Sequence, residues 1–366
     1  MKITYVAHVR IPTERAYGIQ IMKTCEAFAH EGQAVTLVAP ERSQRDPFKY
    51  YGVSTEAFAF FEVPNANFLR YGALGYMLSS VLFAFKTSSL PEIEQADIVY
   101  SRDYLTLLFY RFFRVRAPLV YEVHSKPSFL RTFIARRVKK VVAISKALQS
   151  DYVAAGVSRY QIVIASDAVD ENFFEGISNK NALRKELCLP LKQEVVLYAG
   201  HLYPRKGAAT LAAAARYLPN TLFAFVGGTR HDVTQFRAKW GGIENIRIEG
   251  HVAHPLVPKF LRAADVLVLP NSGLNTDSAL YTSPMKLFEY MLSGVPIVAS
   301  DVPALREVLG DESACFVKPD NPVALAEGIK KALSPHGVRC ASKAHELAQL
   351  YTWNNRAKII LLSLRD

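Results

Sequence analysis

Two adjacent cations follow an apolar segment of the chain, in a position suited to phosphate binding. The segment Val195–Ala199 leads through Gly200 to Arg205 and Lys206, and Gly207 then precedes an alanine-rich stretch typical of a helix. A helix begins with free N–H groups and with the positive end of its dipole. Arg205 and Lys206 would add two positive charges there. This combination favours a diphosphate ligand, although a solvated basic turn has the same composition.

A single carboxylate lies in a second, otherwise apolar stretch. Pro284 suits the first turn of a helix that continues through Met285 and Lys286, and Glu289 follows almost two turns later. An acid in such surroundings needs a polar partner. The two vicinal hydroxyls of a ribose would provide one, and so would an ion pair with Lys286.

The charge of the chain indicates an anionic partner. The 44 Lys and Arg exceed the 33 Asp and Glu by 11, and between Arg102 and Lys146 eleven basic residues face two acids. Nucleotide phosphates, nucleic acid and acidic membranes all fit this charge. Aromatic residues interleave with these cations, which is as typical of a membrane-binding surface as of ordinary amphipathic helices. No nucleic-acid-binding module is recognisable, so we expect no nucleic-acid partner.

Composition places the chain among globular proteins of the reducing cytoplasm. Half of its 366 residues are apolar and 21% are charged, which excludes disordered and fibrous classes and leaves material for two domains. The four cysteines lack Cys-x-x-Cys spacing, which argues against a disulfide framework or a zinc knuckle. The first residues do not form a secretory signal. We therefore expect a cytoplasmic protein, located at the inner face of the membrane if the basic stretch binds lipid.

The elements that would position these residues repeat along both halves of the chain. Short apolar runs alternate with longer amphipathic runs, which predicts parallel strands covered by helices on both faces. We predict an α/β protein with two Rossmann-like, doubly wound domains facing each other across a cleft. The predicted ranges are 1–168, 169–348 and, for a final helix that packs back on the first domain, 349–366. Ligands of such sheets bind beyond the carboxyl ends of the strands.

An ordered set of motifs resembles the retaining glycosyltransferases of family 4, which have the GT-B fold. In the second half the matching segments are 200–207, 225–228, 249–252, 264–270 and 283–296, and in the first half they are 121–124, 143–146 and 164–170. Each segment is weak evidence alone, but their order and spacing match over nearly the whole chain. The resemblance implies that the first domain binds the acceptor and that the second binds a nucleotide sugar.

The resemblance also implies roles for residues of the second half. Arg205 and Lys206 would hold the diphosphate of the donor and assist catalysis, Glu289 would bind the ribose, and the backbone at His251 and Val252 would contact the base. The full set expected to bind the donor is Gly18, Gly200, Arg205, Lys206, Gly228, His251, Val252, Tyr281, Pro284, Met285, Lys286 and Glu289.

In the first half, the resemblance places His124 at the sugar, close to the anomeric centre. Gly18 would let the backbone approach the diphosphate, although the segment 15–18 replaces the usual pair of glycines. Glu14 and Arg102 follow predicted strands and are the candidates for contact with the acceptor.

One position departs from the family pattern. The first acid of the usual Glu-x7-Glu pair would stand at position 281, where this chain has Tyr281. Either the hydroxyl of Tyr281 or the carboxylate of Asp277 could replace it. We interpret the segment 283–289 as the mark of a subfamily, and the identity of the sugar stays open. The alternatives are a catalytically silent relative that binds a nucleotide sugar and another GT-B enzyme, such as an epimerase.

The resemblance implies a retaining hexosyltransferase that uses a UDP- or GDP-sugar and a glycan or lipid-linked acceptor, in the synthesis of cell-surface polysaccharide or glycolipid. The chain has no Asp-x-Asp motif, so we expect neither a carboxylate-held metal nor another cofactor. Enzymes of this kind use front-face attack, in which the leaving phosphate accepts the proton of the acceptor. A double displacement needs a second carboxylate. Glu122 is the candidate, although its strand position favours a buried structural acid.

Overall fold

The chain folds into two units, each built on a parallel sheet. The computed structural model describes residues 1–41, 43, 45–66, 68–177 and 179–365. One unit contains residues 1–167 and the segment from 353 onward, and the other contains residues 168–352. The predicted α/β class, with two Rossmann-like parallel sheets, is confirmed.

The sheet of the first unit has its earliest strand near the centre. Over the described residues it has seven parallel strands in the order β3-β2-β1-β4-β5-β6-β7. The strands are β1 (Lys2–Val6), β2 (Ala34–Pro40), β3 (Ala59–Val63), β4 (Ile98–Ser101), β5 (Leu119–Val123), β6 (Lys140–Ala143) and β7 (Ile162–Ile164). The helices are α1 (Ala16–His30), α2 (Pro47–Tyr51), α3 (Gly72–Ser88), α4 (Pro91–Glu94), α5 (Tyr104–Phe112), α6 (Phe129–Ala135), α7 (Lys146–Ala154) and, from the end of the chain, α17 (Trp353–Ser363).

The second unit repeats this plan. Within the described residues its sheet has six parallel strands in the order β10-β9-β8-β11-β12-β13. The strands are β8 (Val195–Ala199), β9 (Leu222–Val226), β10 (Ile246–Gly250), β11 (Val266–Leu269), β12 (Ile297–Ser300) and β13 (Cys315–Val317). The helices are α8 (Lys180–Glu186), α9 (Ala208–Ala214), α10 (Arg230–Trp240), α11 (Val257–Ala263), α12 (Thr276–Leu280), α13 (Met285–Ser293), α14 (Pro303–Arg306), α15 (Pro322–Ala332) and α16 (Pro335–Ala348).

Apolar side chains on both faces of the strands explain the parallel sheets. In β8, Val195, Leu197 and Ala199 pack into one buried layer, and Val196 and Tyr198 pack into the other. Successive side chains of a strand point to opposite faces, so a strand that is apolar throughout must be covered twice. The helices on each face supply that cover.

A buried ion pair attaches the last helix to the first unit. Arg356 of α17 is 4% exposed, and its Nη2 lies 2.9 Å from Oε2 of the fully buried Glu122 in β5. The guanidinium also donates through Nε to the carbonyl oxygen of Ser166 (3.0 Å) and through Nη1 to Oγ1 of Thr24 (3.2 Å). Removal of one member of such a pair leaves an uncompensated buried charge. The end of the chain is therefore part of the electrostatics of the first sheet.

We predict that Arg356→Met lowers the free energy of unfolding by about 3–5 kcal/mol, because Glu122 is left buried without its counter-ion. The matched control is Lys358→Met on the same helix. Lys358 is 55% exposed and its Nζ lies 3.7 Å from Glu31, so its loss should change the free energy by less than about 1 kcal/mol. Urea unfolding measures both values, and equal effects of the two substitutions would refute the assignment.

Candidate functional site

The loop after β8 brings two cations to the carboxyl end of the second sheet. Gly200 (φ +137°) and Gly207 (φ +74°) bound the loop, and a Cβ at Gly207 would lie 1.6 Å from the carbonyl oxygen of Pro270. Position 207 thus requires glycine both for its backbone conformation and for this close approach. Between the glycines, a single 3₁₀ turn presents Arg205, which is exposed, and Lys206, which is half-buried.

A third cation, Lys286, reaches this loop from the first turn of α13, which begins just after Pro284. Its Nζ lies 4.0 Å from the centroid of the Tyr198 ring, and a Cβ built on Gly200 would be 3.8 Å from it. The nitrogen is buried and, among the described residues, has no hydrogen-bond partner. A buried ammonium group without an acceptor is poised to bind an anion.

Burial disfavours the charges of this cluster. Burial, followed by the neighbouring Arg205, lowers the pKa of Lys206 to about 8. Burial and the charge of Lys206 hold the pKa of Lys286 well below its ordinary value. Burial also raises the pKa of Glu289 to about 7, against the opposing effect of Lys286. A bound diphosphate would favour the charged form of both lysines, since an opposite charge nearby counteracts desolvation.

Other predicted donor-binding residues lie after the neighbouring strands or beside α13. Gly228 (φ +92°) follows β9, and the exposed His251 and the half-buried Val252 follow β10. Because β10, β9 and β8 are adjacent in the sheet, these loops emerge side by side. Of the two candidates for the missing acid, Tyr281 is half-buried at the end of α12, and Asp277 is exposed in the first turn of that helix. Met285, also half-buried, is the first residue of α13.

In the first unit, His124 follows β5 and is oriented by Glu122. Its Nε2 lies 2.6 Å from Oε1 of Glu122. Burial, followed by the charge of Arg102, lowers the pKa of His124 to about 4. The ring is therefore neutral at pH 7. A carboxylate can only accept a hydrogen bond, so Nε2 carries the proton and Nδ1 keeps its lone pair.

Glu122 is a fully engaged structural acid. Its carboxylate accepts hydrogen bonds from Gln20, Tyr100 and His124, and it forms the ion pair with Arg356. Burial alone would raise its pKa, but Arg356 and the hydrogen bond from His124 together hold the pKa well below its ordinary value. This arrangement agrees with the structural interpretation of Glu122.

The other first-half candidates make local contacts within the first unit. Arg102 donates from Nη1 to Oε1 of Gln20 (3.0 Å) and is thereby linked to Glu122. Gly18 is buried inside α1, where a Cβ would lie 2.0 Å from the hydroxyl of Tyr51. Close packing therefore explains the glycine independently of any ligand. Glu14 forms an exposed ion pair with the arginine four positions before it.

The residues predicted from sequence omit several neighbours of these clusters. Tyr198 underlies Lys286, and the hydroxyl of Tyr290 accepts a hydrogen bond from the backbone N–H of Ala199 (2.7 Å). Asn271 is fully buried just after β11, and its Oδ1 has no partner among the described residues. Its position just after a predicted strand could have identified Asn271 as a candidate ligand-binding residue from sequence. By contrast, nothing in the local sequence links Tyr198 to Lys286 or Arg356 to Glu122.

Two protein-family models match the chain, one in each half. The model described as Glycosyltransferase Family 4 matches residues 18–173. The model described as Glycosyl transferases group 1 matches residues 193–335.

Curated relatives resemble part of the chain. A phosphatidyl-myo-inositol mannosyltransferase of Mycobacterium leprae is 30% identical over 216 residues, which are 56% of this chain and 55% of that protein. A D-inositol 3-phosphate glycosyltransferase of Xylanimonas cellulosilytica is 28% identical over 192 residues, which are 50% of this chain and 44% of that protein. The similarity thus spans about half the length of each relative.

The resemblance to solved structures extends over the entire chain. The crystal structure of Anabaena HepE in complex with UDP and glucose matches with a TM-score of 0.78 at 20% identity, and the match covers all of both chains. At this identity the likeness shows the fold. The chain therefore has the GT-B fold, and its two halves match the family models of a glycosyltransferase of the family 4 type.

Proposed function

We propose that the protein is a glycosyltransferase that moves a sugar from a UDP- or GDP-sugar to a glycan or lipid-linked acceptor. The observation that carries this proposal is the cluster of Arg205, Lys206 and Lys286 beside Glu289, at the carboxyl end of the second sheet. The names of the relatives support sugar transfer, and the UDP bound to HepE supports a nucleotide donor.

The donor diphosphate is expected to lie against Lys206 and Lys286. Its negative charge stabilises the protonated form of both lysines, which are poorly stabilised without an anion. As the sugar departs, charge builds up on the leaving phosphate, and cations already in place stabilise it without rearrangement. The same charges take the role of a carboxylate-held metal. Glu289, once ionised, accepts hydrogen bonds from the ribose hydroxyls.

We propose retention of configuration by front-face attack. A double displacement needs a carboxylate that is free to attack the anomeric carbon, whereas Glu122 is fully buried and both of its oxygens are engaged. In the front-face route, the acceptor oxygen bonds to the anomeric carbon as the bond to phosphate breaks, and the acceptor proton passes to the departing phosphate oxygen. The neutral His124 offers Nδ1 or its main-chain carbonyl to a sugar hydroxyl.

A surface of the first unit supports a membrane-associated acceptor. Helix α5 packs against both α3 and α6, and these helices carry exposed apolar side chains. They are Leu74, Met77, Leu78, Phe85, Phe112, Phe129, Leu130 and Phe133. Cations accompany them, and the guanidinium of Arg137 lies 3.7 Å from the centre of the Phe133 ring. Apolar rings beside cations suit the interface of an anionic bilayer.

No helix within the described residues combines the length and apolar character needed to cross a bilayer. On the basis of the exposed apolar and basic surface of α3, α5 and α6, we propose peripheral attachment at the inner face of the membrane, where a lipid-linked acceptor would be available.

We predict that UDP or GDP raises the melting temperature and that Lys206→Ala abolishes this shift, because a ligand stabilises only the form that binds it. The control is Lys330→Ala, which removes a lysine that is 54% exposed on α15 and should leave the shift unchanged. Thermal unfolding with and without nucleotide measures both. Equal shifts in wild type and Lys206→Ala would contradict the site, and binding without turnover of any sugar donor would identify a silent relative.

We predict that affinity for the nucleoside diphosphate falls by up to about tenfold per pH unit above pH 8. Lys206 attracts the anion only in its protonated form, and its pKa in the free protein is about 8, so its contribution is lost as pH rises through that value. In Lys206→Arg the guanidinium stays protonated, so the part of the fall that Lys206 causes should disappear, and any fall that remains comes from Lys286. Calorimetry between pH 7 and about pH 10 measures the two profiles, and parallel profiles would exclude Lys206 as the titrating group.

We predict that the protein binds vesicles containing phosphatidylglycerol more tightly than vesicles of phosphatidylcholine, and that salt weakens the binding. Replacing Phe112 and Phe129 together by Ser should reduce binding at least about tenfold, since each exposed ring contributes apolar area. Tyr160→Ser is the control, because Tyr160 is 93% exposed in the same unit but lies outside these helices. Vesicle co-sedimentation gives the result, and equal loss in the control would contradict a defined binding surface.

A further inference from the structure

Three side chains with metal-binding donor atoms meet beside the first turns of α16. His336 and Cys340 lie four residues apart on that helix, and Cys315 is the first residue of β13. One donor atom from each of the three lies within 4.8 Å of the other two. Both cysteines are buried free thiols, and His336 is half-buried. The two helical ligands share one face because residues four apart project from the same side of a helix.

The spacing of the donor atoms matches a tetrahedral ion. Sγ of Cys340 lies 3.5 Å from Nε2 of His336. A zinc ion about 2.3 Å from a thiolate and about 2.0 Å from an imidazole nitrogen, with a tetrahedral angle between them, separates the two donors by about 3.5 Å. This pair therefore already has the required separation. Tetrahedral zinc places two sulfurs about 3.8 Å apart, so Cys315 needs to approach Cys340 by about 1 Å at most and His336 by about 1.3 Å at most.

The chemistry of the donors selects a thiophilic ion. Two sulfurs and one imidazole suit zinc, whereas magnesium and calcium prefer oxygen. Two thiolates also neutralise a divalent charge, so the filled site carries no net charge in its partly buried position. A disulfide would use only Cys315 and Cys340 and would give His336 no part.

A route to the cluster is present. His336 lines a surface pocket of about 500 Å³, together with Asp301, Asp311 and Lys331. An ion can enter from this side, and water can complete a fourth coordination position next to three protein ligands.

We propose that Cys315, His336 and Cys340 bind one zinc ion that joins β13 to α16. Cys315 lies in β13, the edge strand of the sheet, whereas Arg205 and Lys206 follow β8, which is three strands away in the order β8-β11-β12-β13. The ion thus lies at the β13 edge of the sheet, away from the donor-binding loop. Its role is to stabilise the second unit and not to take part in sugar transfer.

Cobalt(II) titration of the reduced, chelator-treated full chain tests the proposal. We expect the visible absorption of a four-coordinate cobalt–thiolate centre, saturating at one equivalent and lost when one equivalent of zinc is added. Zinc alone should raise the melting temperature of the metal-free protein, because the ion binds the folded site.

Matched variants identify the ligands. Cys315→Ser and Cys340→Ser should each weaken cobalt binding about 100-fold or more, and His336→Gln should weaken it at least about tenfold, since even outer-shell changes cost 10–100-fold. Cys188→Ser, which removes an exposed cysteine outside the cluster, should leave binding unchanged. The melting temperature of each metal-free variant shows whether that variant is folded. If a serine variant does not fold, His336→Gln still tests the site, because His336 is only half-buried.

Three results would overturn the proposal. The first is the absence of the cobalt–thiolate absorption in the wild type. The second is unchanged binding in folded variants of Cys315 or His336. The third is a disulfide between Cys315 and Cys340 in protein isolated under reducing conditions.

Discussion

The carboxylate of Glu122 is the constraint around which the first unit is organised. It is fully buried in β5 and is contacted from three other elements by Gln20, Tyr100 and Arg356. His124, which directly follows β5, also donates a hydrogen bond to it. A buried ionised group without partners is strongly unfavourable, so these contacts define one arrangement of α1, β4 and α17 around the strand. The same carboxylate sets the tautomer of His124. Fold and candidate chemistry therefore depend on one charge.

The second unit uses the opposite strategy at its candidate site. Lys206 and Lys286 are partly or largely removed from water with no carboxylate to neutralise them fully, and their pKa values are lowered as a result. The loop that carries Lys206 has a defined backbone, because Gly207 lies against the carbonyl oxygen of Pro270 with no room for a side chain. A bound anion, as proposed for the donor diphosphate, would offset this unfavourable burial of positive charge. Because these cations are already in place and poorly solvated before the anion binds, little solvation is lost on binding, which would increase the affinity for the anion.

Local sequence patterns predicted much of this architecture and fewer of its contacts. Apolar runs such as Val195–Ala199 predict buried parallel strands, and the loop that carries Arg205 and Lys206 follows this run. The edge strand β3 is difficult to recognise from sequence, since most of its residues are exposed and its apolar periodicity is weak. The pairs Lys286–Tyr198 and Arg356–Glu122, and the cluster of Cys315 with His336 and Cys340, join residues from different elements. Such contacts are set by tertiary packing, which the local period of a sequence does not record.

The return of α17 to the first unit has a consequence for biosynthesis. The second unit is inserted between Asp167 and Trp353 of the first, so the ribosome produces Glu122 well before the arginine that neutralises it. A nascent chain that has only its first 167 residues would have to keep this carboxylate hydrated or protonated. The first unit can therefore complete its fold only after the inserted second unit and helix α17 have been translated.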